Sequence, residues 1–267
     1  MTKIRLCKRE DKKYIDDITQ HTWEGGDYLS SVFEEWINDG YFYVAVEGER
    51  VIGTAKLTIL PEKTGWLEGL RVHPDYRGKG IGRLMNDFMV DKAKKLRDKG
   101  IIDLIEFSTY YKNIESLHMG EKSGFKIVER FYVLDRKRGE EIKEPKKTKL
   151  TLSDFVNYGD YIPSGWKFVK KTEEGINWLQ RRARPFLAEK YKFYLTGEEP
   201  TFSILELSES SIDTYISYLN FLSKETENYE LMIPEKWRSK ISFLREKEFF
   251  FWEEPEEPNV YILRYYD

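Results

Sequence analysis

A chain of 267 residues, 40% hydrophobic and 15% aromatic against 34% charged, has material for one large or two ordinary packed cores beneath an extensive solvated surface. Its 44 Lys and Arg against 47 Asp and Glu leave a net charge of -3, which excludes the overall basic field that holds a nucleic-acid backbone. Met1–Arg5 lacks the apolar run of a signal peptide, and no window approaches the roughly 18 apolar residues of a membrane span, so neither nucleic acid nor membrane is an expected partner.

The single cysteine, Cys7, cannot form an internal disulfide, and no Cys/His cluster has metal-ligand spacing; a reducing cytoplasm and no metal are the expectation. Lys3–Arg9 alternates as a short strand. Asp11 is placed to cap a helix running to Gln20, with Tyr14, Ile15 and Ile18 on one face. After a break at Trp23-Glu24-Gly25-Gly26-Asp27-Tyr28, the residues Leu29, Val32, Phe33, Trp36 and Ile37 recur at helical spacing until Gly40. Tyr41–Glu47, Val51–Leu60 and Gly65–Val72 read as three consecutive antiparallel strands. From Lys79 to Gly100 the period is helical, with Ile81, Leu84, Met85, Phe88, Met89 and Ala93 on one face. Ile101–Phe107 is a buried-strand run, Asn113–Lys122 a short helix stopped by Gly124, and Lys126–Leu134 a further strand.

Residues 1–135 therefore read as one α/β domain. Residues 136–150 are mostly charged and include Pro145, the composition of a solvated linker. Residues 151–267 read as a second, smaller mixed α/β domain. Its strands are expected at Trp166–Val169, Lys192–Leu195 and Phe202–Leu207, with helices from Glu173 to Leu187 and from Ser211 to Leu222. Glu248–Trp252 and Val260–Tyr266 alternate like a closing hairpin. No catalytic motif lies in this half, and its basic run, Arg181, Arg182 and Arg184, reads as a solvated helix face, with contact to an anionic substrate or nucleotide phosphate as the alternative.

The informative stretch is Leu67-Glu68-Gly69-Leu70-Arg71-Val72-His73-Pro74-Asp75-Tyr76-Arg77-Gly78-Lys79-Gly80-Ile81-Gly82-Arg83, a strand, a turn, a glycine-rich loop and a helix start. Backbone N–H groups in the first turn of a helix have no intrahelical partner and can cradle a pyrophosphate. Gly78, Gly80 and Gly82 permit close approach, and Arg77, Lys79 and Arg83 add positive charge. A plain glycine-rich turn is the alternative. The spacing lacks the Lys-Ser/Thr ending of a P-loop, and the preceding strand belongs to an antiparallel run rather than a dinucleotide βαβ unit.

Arg77-x-x-Gly80-x-Gly82 resembles the acetyl-coenzyme A signature of the GCN5-related N-acetyltransferase (GNAT) superfamily, and Asn113, Ser116 and Gly124-Phe125 resemble its second block. The resemblance covers most of residues 1–135. It implies the GNAT fold, a mixed, largely antiparallel central sheet flanked by helices, with acetyl-coenzyme A as co-substrate. It also implies that the coenzyme lies in a wedge between the strand ending at Val72 and the Ile101–Phe107 strand. Leu70, Arg71 and Val72 would line the pantetheine arm, with the backbone of Leu70 and Val72 holding it. Arg77, Gly78, Lys79, Gly80, Ile81, Gly82 and Arg83 would hold the pyrophosphate, and Asn113 the arm from the other side. Gly26-Asp27-Tyr28-Leu29, Trp36 with Asp39, and Glu68-Gly69-Leu70-Arg71-Val72 resemble the vertebrate histidine N-acetyltransferase-like proteins, which hints at an amino-acid acceptor.

Acetyl transfer to an amine needs a neutral nitrogen, a stabilised oxyanion and a proton for the departing thiolate. Glu68 is the candidate general base, with a half-exposed surface glutamate as the plainer reading; the Val72 N–H is the candidate oxyanion donor. Many relatives draw the acid from a tyrosine in the second block, where this chain has Gly120. Tyr110 and Tyr111 are the substitutes at hand, with aromatic packing as their other explanation and water as another proton source. In this family the acceptor pocket forms between the first two helices and the sheet, so Trp23, Glu24, Asp27 and Tyr28 are its candidate wall; Asp27 either holds an ammonium or caps a helix. His21, His73 and His118 are scattered and receive no catalytic role. The expected function is acetyl transfer to a primary amine of a small molecule by direct attack in a ternary complex. A non-catalytic acyl-coenzyme A sensor and a protein N-acetyltransferase are the alternatives; the second half either shapes the acceptor site or is a degenerate copy of the first that pairs chains into a homodimer.

Overall fold

The computed structural model describes residues 2–22, 26–197, 200–253 and 257–267. Trp23 and Glu24, two residues of the expected acceptor wall, lie outside them. The first half of the chain runs β1 (Lys3–Leu6), α1 (Lys12–Gln20), α2 (Leu29–Asp39), β2 (Phe42–Glu47), β3 (Arg50–Leu60), β4 (Thr64–Val72), α3 (Ile81–Asp98), β5 (Leu104–Tyr110), α4 (Ile114–Lys122) and β6 (Phe125–Lys137). The second runs β7 (Lys146–Lys147), β8 (Tyr161–Ser164), β9 (Lys167–Lys170), α5 (Glu173–Gln180), β10 (Arg184–Ala188), β11 (Tyr191–Thr196), β12 (Thr201–Ile204), α6 (Glu209–Leu222), β13 (Asn228–Pro234), α7 (Ile241–Glu246), β14 (Phe249–Phe250) and β15 (Val260–Tyr265). The chain divides into two compact units, one of Met1–Phe107, Glu115–Lys126 and Arg264–Asp267, the other of Ser108–Ile114 and Ile127–Leu263.

In the first unit the strand order is β1-β2-β3-β4-β5, antiparallel except for the parallel β4–β5 pair. Helices cover both faces, so β2 is apolar and buried from Phe42 to Val46 rather than alternating. On one face Phe42, Val44 and Val46 join Ile15 and Ile18 of α1 and Leu29, Phe33 and Trp36 of α2 in a single cluster. On the other, Tyr43 meets Phe88 of α3 edge-on at 4.9 Å between ring centres. Full burial of side chains such as Phe33 contributes about 1.5–3 kcal/mol each. α3 buries Ile81, Met85, Met89, Val90, Ala93 and Leu96. Leu84, at the margin of that stripe, is exposed instead.

Asp11 stands at the start of α1 without bonding the helix's own amides. Its carboxylate accepts from the Lys8 N–H at 2.8 Å and from Arg5 at 2.6 and 2.8 Å. It thus ties β1 to the helix rather than capping it. Burial opposes its charge, yet the Arg5 and Lys8 bonds hold its carboxyl below the usual carboxylate range.

β5 begins at Leu104 rather than Ile101. The Asp103 N–H donates to the Lys63 carbonyl at 2.7 Å, and Ile102 is buried beside Gly65, so Ile101–Asp103 is spent on the turn that sets β5 parallel to β4.

In the second unit the order is β7-β10-β11-β12-β13-β6, again with three antiparallel pairings followed by a parallel one, β12–β13, and then antiparallel β13–β6. Four expectations are corrected here. The helix from Glu173 stops at Gln180, because Pro185 cannot donate in a helix and pushes Arg184 into an extended conformation; 184–188 becomes β10, so the basic run lies on a turn and a strand. The strand expected at Phe202–Leu207 ends at Ile204, and β13, which the sequence reading missed, lies parallel to it. The expected C-terminal hairpin does not form, since β14 pairs with β6, Phe249 opposite Arg136. The charged stretch after β6 is held rather than free: the Gly139 N–H donates to Asn220 Oδ1, Asn220 Nδ2 donates to the Glu141 carbonyl, and the Lys143 N–H donates to the Ser217 carbonyl, all on α6. Among the described residues no helix is long and apolar enough to cross a membrane.

Candidate active site

β4 pairs with β3 along its length, but its register slips between Thr54 and Lys56, so that Gly69 and Leu70 together face a single residue of β3. This is a β-bulge, which bends the strand and re-aims its side chains. Gly69 has φ +66°, and a Cβ there would fall 2.5 Å from two atoms of the Trp36 ring. Only glycine fits both the left-handed backbone and the indole above it. Pairing between β4 and β5 covers Thr64–Trp66 and stops at Trp66 opposite Glu106, while β4 continues to Val72.

From Val72 the chain passes through His73, a tight turn at Pro74–Tyr76 and the glycine loop into α3. Gly78 and Gly80 have φ of +73° and +78°, and nothing lies within 4 Å of the place a Cβ would take. Gly80 occupies the cap position without a side chain, so the first-turn amides of α3 face outward uncapped, with the positive end of the helix dipole behind them. Arg77 Nε donates to the Val72 carbonyl at 3.2 Å, and Lys79 Nζ to the Asp75 carbonyl at 3.0 Å. Arg83 is exposed on the first turn, 3.7 Å from Asp87. Gly82 sits with its notional Cβ 3.8 Å from Val72 Cγ2, which packs the helix start close to the end of β4.

Beside the bulge the structure gathers four of the sequence-predicted residues. Arg71 Nε donates to Asp27 Oδ2 at 2.9 Å and Nη2 to Oδ1 at 3.4 Å, with side chains 16% and 0% exposed. Asp27 therefore carries neither of its two expected roles alone: its carboxylate is committed to Arg71. The guanidinium carbon of Arg71 lies 5.7 Å from the centre of the Tyr28 ring, and that ring meets Trp36 edge-on at 6.0 Å. Tyr28 is 39% exposed, yet desolvation around its phenol pushes it up; Arg71 opposes the shift, and the charges of Glu68 and Asp27 add to it. Glu68 Oε1 accepts from Thr58 Oγ1 at 2.5 Å, and Lys56, opposite Glu68 on β3, is fully buried with its ammonium on Asp39 Oδ2 at 2.9 Å. Thr58, Lys56 and the packing of Trp36 on Gly69 were not foreseen as parts of this site; the only signal was their period-2 register on the strand opposite Glu68.

Tyr110, Tyr111 and Asn113 belong to the second unit. Tyr110 and Tyr111 meet edge-on at 5.0 Å, and Tyr110 also contacts Trp252 at 5.1 Å. Both phenolic oxygens are buried without a hydrogen-bond partner among the described residues. Burial, with help from Glu253 and Tyr111, pushes the Tyr110 phenol up to about 12, so it stays protonated at neutral pH. The Asn113 N–H donates to the Tyr110 carbonyl at 3.0 Å. Gly120, at the place where a tyrosine was sought, is buried in α4.

Residues 12–125 match the family model described as the Acetyltransferase (GNAT) family. Over 92 residues the chain is 32% identical to the histidine N-acetyltransferase of Xenopus tropicalis, a match covering 33% of this chain and 28% of that protein. Over 112 residues it is 25% identical to the mycothiol acetyltransferase of Geodermatophilus obscurus, covering 40% and 35%. The chain thus matches about a third of the length of these curated relatives. A solved structure from Thermoplasma acidophilum, provisionally assigned as an acetyltransferase, superposes with a TM-score of 0.69 at 19% identity over 99% of this chain and 100% of that one. A similarly assigned structure from Pyrococcus horikoshii gives 0.65 at 14% identity over 100% and 89%. At those identities the solved structures establish a common fold. Fold and glycine loop agree with that match: residues 12–125 fit the Acetyltransferase (GNAT) family model, on a fold shared with the solved structures.

Proposed function

We propose that the chain is an N-acetyltransferase that moves an acetyl group from acetyl-coenzyme A to a primary amine of a small molecule, an amino acid in the narrower reading, by direct attack in a ternary complex. One observation carries the reading: a bulged β4, no longer paired to β5 beyond Trp66, runs directly into an uncapped, glycine-presented helix end flanked by Arg77, Lys79 and Arg83. Such an end binds phosphate, and an open strand edge beside it suits the amide groups of a pantetheine arm. In this reading Leu70, Arg71 and Val72 line the arm, residues 77–83 hold the pyrophosphate, and Asn113 bonds the arm. Residues 1–135 are then the catalytic domain, and 151–267 shape the acceptor side or pair two chains.

Around the bulge Asp27, Glu68 and Asp39 set three carboxylates against the two cations Arg71 and Lys56. That balance favours an acceptor arriving as an ammonium. Thr58 orients the Glu68 carboxylate, which takes the proton from the ammonium. The neutral nitrogen attacks the thioester carbon; the N–C bond forms, the oxyanion accepts from the Val72 N–H, and as it collapses the C–S bond breaks and the nitrogen gives its second proton to water. Tyr110, protonated at neutral pH, and Tyr111 beside it remain the candidates to give the thiolate a proton.

The test is release of free coenzyme A thiol from acetyl-coenzyme A against a panel of amino acids, polyamines and peptides. Turnover with a free amine is expected, with kcat lowered about a hundredfold in Glu68→Gln and the KM for acetyl-coenzyme A little changed. Binding of acetyl-coenzyme A without turnover on any amine would instead favour the sensor reading, and turnover confined to peptides the protein N-acetyltransferase.

A further inference from the structure

Asp17, His21 and His73 are far apart in the reading of motifs, yet the fold brings one ligand atom of each within 4.8 Å of the others. Asp17 and His21 are four residues apart at the end of α1, which puts both side chains on one face. His73 closes β4, with its N–H donating to the Ile52 carbonyl at 2.9 Å. Asp17 Oδ2 lies 3.4 Å from His73 Nε2 and the two rings are 5.3 Å apart; His21 Nδ1 donates to the Asp17 carbonyl at 2.8 Å, which leaves the His21 lone pair on Nε2. His73 is 3% exposed and fixed by the core, whereas the His21 side chain is 52% exposed, which leaves a way in.

A cation of the protein's own already stands there. Arg50 Nη2 lies 2.9 Å from Asp17 Oδ2 and 3.2 Å from His73 Nε2. A guanidinium only donates, so a nitrogen lone pair and a carboxylate oxygen are what this corner offers a cation. The Arg50 side chain is 41% exposed and its Nε is buried without a hydrogen-bond partner among the described residues, so swinging into solvent gives up the Nη2 contacts to Asp17 and His73 and a Tyr76 ring 5.8 Å away. The Asp75 N–H donates to His73 Nδ1 at 3.3 Å; ligation through Nε2 moves the ring hydrogen to Nδ1, gives up that bond and leaves Asp75 Oδ2, 3.8 Å away, as the acceptor to turn to.

We propose that Asp17, His21 and His73 form a binding site for a divalent transition ion of the zinc type, with Arg50 as its built-in competitor. Two imidazoles and one carboxylate match the ligand preference of zinc, whereas magnesium takes oxygen ligands and keeps its waters. The ion would clamp the end of α1 to the turn that leads from β4 into the glycine loop. The inference is independent of the acetyl-transfer reading.

The test titrates tag-free, full-length, chelator-stripped protein with zinc chloride by calorimetry, with magnesium chloride as comparator. One zinc per chain is expected, without a magnesium signal. Affinity should fall roughly tenfold or more in His21→Ala and in Asp17→Asn, rise in Arg50→Gln, and stay unchanged in Cys7→Ser. His21 is exposed, so its variant keeps the test valid even where substitution of buried His73 prevents folding. Absence of zinc binding to the wild type, binding that survives both His21→Ala and Asp17→Asn, or binding lost in Cys7→Ser would overturn the proposal.

Discussion

Each unit contains a run of three antiparallel pairings leading to a parallel pair, and a helix that follows the first strand of that pair: α3 after β4, and α6 after β12. The two helix ends are opposite in character. α3 starts at Gly80, with no capping side chain and with Arg77, Lys79 and Arg83 around it. α6 starts at Ser208, whose hydroxyl accepts from the Ser211 N–H at 3.3 Å, while Ser211 Oγ accepts from the Ser208 N–H at 2.8 Å; Glu206 and Glu209 flank it. One end offers amides and positive charge to an anion, and the other has already satisfied its amides and repels one. The strands differ too, since β4 is bulged and has nine residues where β12 has four. Shared topology therefore does not make a shared site; the residues of one short loop do.

The interiors differ in the same sense. Beside β4 lies a buried ion pair, Asp27–Arg71, whereas beside β12 the hydroxyls of Tyr158, Tyr194 and Tyr215 donate to the carbonyls of Ile204, Pro163 and Lys192. The largest expected effect tests that contrast: Arg71→Met strands the Asp27 carboxylate and should cost about 3 kcal/mol in urea unfolding. A loss under 1 kcal/mol would mean the pair is as dispensable as a surface bridge. Next, Gly80→Asp places a carboxylate and a strained left-handed residue at the open end of α3, and calorimetric affinity for acetyl-coenzyme A should fall about a hundredfold. Unchanged affinity would break the comparison. Smallest, Ser208→Ala opens the closed end of α6 and should cost about 1 kcal/mol of stability while leaving coenzyme affinity as it was.

Legibility followed the range of the interactions. α3 and its glycine loop could be read because a helical period and a run of glycines are local facts, as were the apolar runs of β2 and β3. The partner of Asp27 is 44 residues away in Arg71, and the pairing of β14 with β6 joins Phe249 to Arg136; neither is written in any window of sequence. For the same reason three histidines that looked scattered included two that meet, His21 and His73. The helix lost after Gln180 was a local misreading, since Pro185 was in plain view.

The contact between Gly69 and Trp36 bears on how this scaffold can diversify. Any side chain at 69 collides with the indole, and a smaller residue at 36 would relieve the collision while leaving the left-handed backbone in place. Positions 36 and 69 are therefore epistatic, and no single step is open at the second. A lineage or a directed library seeking new acceptors is steered to neighbours that tolerate change one at a time, Tyr28 at the rim and Thr58 beneath Glu68.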